Sequence, residues 1–179
     1  GPHYLPRFYA SDNPSSPIEC GTYLTNGDVQ SALDALPAVG SAALSATEMP
    51  GPTGESNILS TFPRGVVLCL GPSAAEALQQ AEVARKSGCQ PLVVAPLASG
   101  EQALDGWLPR EQLGELQGFD AVVCWSDSED QRAIRKALAA RDGALIPLIS
   151  ERDFADRCVI ERHVCIDTTA AGGNVSLLA

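Results

Sequence analysis

The sequence predicts an α/β domain: a parallel β-sheet flanked by helices. Three observations predict it. Residues 65–70, 91–96, 121–125 and 144–149 are short, nearly continuous apolar runs, the pattern of strands buried on both faces. Apolar residues at helical spacing fill the stretches between most of them. The connections are short, and strand–helix–strand units repeated in this way give a right-handed, Rossmann-like parallel sheet.

The elements follow in order. Residues 1–8, Gly1-Pro2-His3-Tyr4-Leu5-Pro6-Arg7-Phe8, mix prolines with aromatic rings, so residues 1–10 are expected to form an extended arm on a neighbouring surface. Asn26, Gly27 and Asp28 offer caps to a short helix whose apolar face is Val29, Ala32, Leu33 and Leu36, and Pro37 stops it. Residues 38–60 are small and turn-rich, with Met49-Pro50-Gly51-Pro52-Thr53-Gly54 at their centre, and read as a surface excursion. After the first strong strand, Gly71-Pro72-Ser73 turns the chain into a helix running to about Ser87. Its buried stripe is Ala74, Ala77, Leu78, Ala81 and Ala84, and Gly88 ends it. A looser section holds Trp107 and a short helix at residues 111–116. The last helix spans about residues 129–140, capped by Ser126 or Ser128, and buries Ala133, Ile134, Ala137 and Leu138. A final strand, residues 159–166, alternates Val164 and Ile166 with polar neighbours. A small-residue turn and an apolar end (Val175, Leu177, Leu178) follow, too short to fold alone and suited to docking on another surface.

At 179 residues the chain is one domain with appended segments. A domain of this size buries roughly 70% of its unfolded surface, so it needs neither metal nor disulfide to fold. A net charge of −10, from 22 acidic and 12 basic residues, argues against nucleic acid or an anionic membrane as a partner. No apolar run approaches the ~20 residues of a transmembrane helix, and no signal peptide is expected. The six cysteines form no C-x-x-C pair, and Cys69, Cys124 and Cys165 fall in strand-like runs where cysteine acts as a small hydrophobe. A reducing, cytoplasmic compartment fits them.

Candidate sites are sparse. A dinucleotide fingerprint after the first strand would read G-x-G-x-x-G, but Ser73 and Glu76 stand at its second and third glycine positions. Glu76 in the first helical turn suits the helix dipole and repels a phosphate. Ser126-Asp127-Ser128-Glu129-Asp130 reads as dipole-matched capping. His163 and Cys165, two apart on a strand, share a face without needing to hydrogen-bond, so they make no nucleophilic pair. No catalytic, cofactor-binding or metal-ligating residue is expected in this chain.

The two ends carry a resemblance. Asp167-Thr168-Thr169-Ala170-Ala171-Gly172-Gly173-Asn174, preceded by Glu161-Arg162, closely resembles the C-terminal motif of the proline utilization A family, except that Asp stands at 167 where many relatives have Asn. Residues 1–8 are similar to the stretch that follows the aldehyde dehydrogenase module in those enzymes. Longer members insert between these segments a Rossmann domain of the aldehyde dehydrogenase superfamily that lacks catalytic equipment. Residues 11–155 match that insert by architecture and position.

The resemblance implies the C-terminal part of a bifunctional flavoenzyme. Such a parent oxidises proline with FAD and glutamate semialdehyde with NAD, and both cofactor sites lie upstream, leaving none in this segment. The upstream proline dehydrogenase and aldehyde dehydrogenase modules of the same polypeptide are the implied partners. Residues 156–179 would form a β-flap, with Thr168, Thr169, Ala170, Ala171, Gly172, Gly173 and Asn174 as the lid over a substrate-channelling cavity. Adjacent glycines and alanines allow the close backbone approach such a lid needs. Two other roles stay open: an oligomerisation module whose flap pairs with another subunit in a homodimer, and a regulatory domain binding a ligand near Gly71.

Overall fold

The computed structural model describes residues 22–167, so the expected arm at residues 1–10 lies outside the described part. The described elements begin with α1 (Asn26–Asp34), then β1 (Ser45–Met49), β2 (Glu55–Pro63), β3 (Val66–Cys69) and α2 (Ala74–Lys86). There follow β4 (Gln90–Ala95), β5 (Ala103–Asp105), a 3-10 turn at Arg110–Gly114, β6 (Ala121–Val123) and α3 (Ser128–Ala139). The last described elements are β7 (Leu148–Ile149), a second 3-10 turn at Ala155–Cys158, and β8 (Val159–Asp167).

Five strands form an all-parallel sheet in the order β5-β4-β3-β6-β7. Alternate residues of its strands feed two separate cores. Leu68, Leu70, Leu92, Val94 and Val122 face α1, α3 and the first 3-10 turn, packing with Val29, Leu113 and Ile134. Val67, Cys69, Val93 and Val123 face the other way, onto Ala77, Ala81 and Ala84 of α2 and onto Phe154. Helices thus cover both faces, which is why the strands read as unbroken apolar runs. The expected α/β fold is the one observed.

Several local expectations are corrected. The cap of α1 is Thr25, whose side chain accepts from the Asp28 N–H while the Asp28 carboxylate takes the Thr25 N–H at 2.9 Å, a complete capping box. Thr25→Ala is expected to cost about 1 kcal/mol in urea unfolding. The cap of α3 is Asp127, neither serine beside it, because one carboxylate oxygen accepts from both Glu129 and Asp130 N–H at 3.0 and 2.9 Å. On α2, Leu78 points to solvent and Gln80 is buried in its place. Cys69 and Cys124 are core residues, but Cys165 is exposed on β8. Of residues 144–149, only Leu148 and Ile149 form a strand.

Residues 38–60 are no irregular excursion. They hold β1 and most of β2, an antiparallel pair to which β8 adds as a third strand in the order β1-β2-β8. Every β8 residue from Val159 to Asp167 has a β2 partner, with Ile58 opposite Val164 and Leu59 opposite His163. The base of β8 is fixed to the body at the β2–β3 junction. Arg64 donates its backbone N–H to Cys158 O at 2.8 Å and its Nε to Arg157 O at 2.5 Å, while Cys89 Sγ donates to Cys158 O at 3.2 Å.

Candidate functional site

In an open parallel sheet, ligands bind outside the carboxyl ends of the strands where the strand order reverses. Here the chain moves from β3 through β4 to β5, then returns to place β6 on the opposite side of β3. The reversal point therefore lies between Gly71, just after β3, and Cys124–Trp125, just after β6.

This crevice is filled by the protein's own groups. Gly71 has φ +88°, and a Cβ there would lie 2.7 Å from Ser73 N, so the sharp turn demands glycine. Its N–H, the group a dinucleotide phosphate would use, donates to Gln80 Oε1 at 3.2 Å. Its carbonyl accepts from Gln80 Nε2 at 2.8 Å and from the Trp125 N–H at 2.8 Å. The Trp125 bond pins the two sides of the crevice together. At the start of α2, Ser73 accepts from the Glu76 N–H and donates to the Glu76 carboxylate at 3.1 Å. That carboxylate also pairs with Arg152, itself stacked 4.7 Å above the Trp125 ring. A dinucleotide would meet consumed donors and a carboxylate, so these residues do not fit one.

The α3 side carries a stronger feature that the sequence reading missed. Arg110 holds Asp130 with two parallel bonds, Nε to Oδ1 at 2.7 Å and a terminal nitrogen to Oδ2 at 2.9 Å. The guanidinium lies 4.2 Å from the Trp107 ring centre and Arg110 is only 6% exposed. Burial works to raise the Asp130 carboxyl, but its hydrogen bonds from Arg110 and Ser126 outweigh this and hold it below the ordinary carboxylate value. Burial pushes the thiols of Cys69 and Cys124 up, away from the thiolate a nucleophile needs. The acidic 126–130 segment is thus a helix cap plus one half of a buried ion pair.

The lid residues Thr168, Thr169, Ala170, Ala171, Gly172, Gly173 and Asn174 lie outside the described residues. What leads into them is described. On β8, His163 and Cys165 share a face with Leu59 and Asn57, while Val164 and Ile166 line the other face with Ile58. Val164 and Ile166 are half exposed. Arg162 covers Phe62 on that same face, 4.7 Å above the ring.

No family model matches the chain. The bifunctional protein PutA of Escherichia coli K12 is 37% identical over 148 residues, which is 73% of this chain and 11% of that protein. A crystal structure of a mutant Bradyrhizobium japonicum proline utilization A is 28% identical, covering 58% of this chain and 13% of that one with a TM-score of 0.46. A betaine aldehyde dehydrogenase double mutant from Staphylococcus aureus is 16% identical over 57% of this chain and 26% of its own, with a TM-score of 0.47. The chain is a PutA-type segment, spanning about a tenth of the length of the curated relatives it matches.

Proposed function

We propose that this segment is the non-catalytic C-terminal domain of a bifunctional proline-catabolic oxidoreductase. It packs on the aldehyde dehydrogenase module and closes the cavity through which glutamate semialdehyde passes. The observation that carries the reading is the 37% identity to E. coli PutA across 73% of the chain. The parent would use FAD and NAD at sites outside this segment, in the cytoplasm. Two features support a structural role for the segment itself. Its strand-reversal crevice is stitched by Gln80 and Trp125, and β8 carries an exposed apolar face directly into the lid motif. Val164 and Ile166 are already half buried, so covering their exposed halves contributes roughly 1 kcal/mol each, which adds to the hold on a flap already tethered to its target.

The test is coupled turnover in the parent enzyme truncated after Asp167. That cut keeps β8 and all its pairing with β2. Proline oxidation should stay intact while NADH formation shows a long lag or is lost. Unchanged coupling would sink the lid reading. A second reading, in which the flap pairs with another subunit, draws on β1 and β8 lying at the two edges of their sheet. Light scattering of the same truncated parent decides it, since only that reading expects a fall in mass.

A further inference from the structure

Leu145 is 95% exposed, more than any other large hydrophobic residue described. It belongs to an apolar run, Ala144-Leu145-Ile146-Pro147, in which no residue is fully buried. Directly after it comes β7, the edge strand of the parallel sheet, which among the described residues is bonded to β6 on one side only. Parallel sheets are ordinarily covered, and natural proteins blunt or occupy an open edge. Here Ile146 packs partly on the core, while Leu145 beside the edge is left in water.

The same edge borders a cleft of about 490 Å³. Leu138, Ile146 and Leu148 contribute its apolar lining, and Arg64, Arg135 and Arg157 its cationic side chains. Three guanidiniums thus line one cleft in a chain whose net charge is −10. Arg64 is oriented through Nε by the Arg157 carbonyl, so its terminal nitrogens are not part of that bond. Arg135 bonds Gln131 through one terminal nitrogen at 3.2 Å, and Arg157 reaches Glu151 only at 3.6 Å.

We propose that the β7 edge and its three-arginine cleft dock an extended, acidic segment supplied by the part of the parent polypeptide outside these 179 residues. Backbone pairing along β7 occupies the open edge, apolar side chains of the segment cover Leu145 and Ile146, and its carboxylates meet the arginines. A small anion would engage the arginines but leave the edge and Leu145 uncovered. The chain is 11% of the length of its E. coli relative, so a long polypeptide is at hand to supply the segment. The inference rests on the PutA-type reading only for that longer parent, and it does not involve the lid.

The experiment uses the full-length parent carrying Leu145→Cys, with maleimide labelling at position 145 read by peptide mass spectrometry. Labelling should be slower than in the urea-unfolded protein by about tenfold or more, the signature of a covered site. Adding Arg135→Glu, an exposed position, should restore fast labelling by repelling the acidic segment. Labelling at the unfolded rate overturns the proposal, and so does indifference to Arg135→Glu. Protection that disappears on dilution also overturns it, because the cover is then a second copy. Hydrogen exchange of residues 144–146 in the unsubstituted parent, outside the β6–β7 ladder, checks the same point without a substitution: slow amides support docking, and fully exposed exchange overturns it. Failure of the lid reading would appear as unchanged coupling after truncation at Asp167, with protection at 145 unaffected.

Discussion

Asp130→Ala is expected to lower stability at neutral pH by about 3–5 kcal/mol, because it strands the Arg110 guanidinium in a buried site without its counter-charge. The size follows from location more than from the pair's attraction. Arg110 is 6% exposed and packed on Trp107, so the guanidinium that gives up the two bonds to Asp130 stays largely out of water. The effect depends on pH in a defined direction. Asp130 is held below its ordinary value in the folded protein, so the unfolded chain takes up the proton first as the solution is acidified. Its stabilisation is complete above the unfolded value of about 3.9 and is lost as pH falls through the lower, folded value. Urea unfolding at several pH values should therefore show a wide gap between wild type and Asp130→Ala at pH 7 that narrows below about pH 4. A gap independent of pH would mean that packing around Trp107, and not the ion pair, holds this corner.

What the sequence could and could not reveal follows from what each residue touches. The strands β3, β4 and β6 were legible because both of their faces are buried, which forces unbroken apolar runs. The hairpin β1–β2 was not, since every residue of β1 is exposed and its composition, Ser-Ala-Thr-Glu-Met, carries neither alternation nor apolar density. Its signal lay only in the Pro50–Gly54 turn flanked by two extended segments. The 144–149 run misled in the opposite way, because an apolar run ordinarily means burial and here it borders an open edge. The departure from the dinucleotide fingerprint was readable at Ser73 and Glu76. The residues that fill the crevice were not. Gln80 is a polar residue on an alanine stripe, and Arg110 lies twenty positions from Asp130, so only the fold brings these partners together.

Gln80→Leu is the complementary test of how the crevice is built. Leucine is similar in size and favours the buried setting, so the cost isolates the lost amide. The Gly71 carbonyl keeps its bond from Trp125 N–H, but the Gly71 N–H loses its partner inside the core. An orphaned buried donor costs about 1–3 kcal/mol, and the loss should appear as a lower urea midpoint with an unchanged slope. The substitution also separates two reasons for the poor fit to a nucleotide. Freeing the Gly71 N–H restores one phosphate donor, yet Glu76 still places its carboxylate in the first turn of α2, clamped by Ser73 and Arg152. Calorimetric titration of NAD into the Gln80→Leu protein should accordingly give no heat. Heat in that titration would assign the exclusion to the Gln80 amide alone and revive the regulatory-site reading near Gly71.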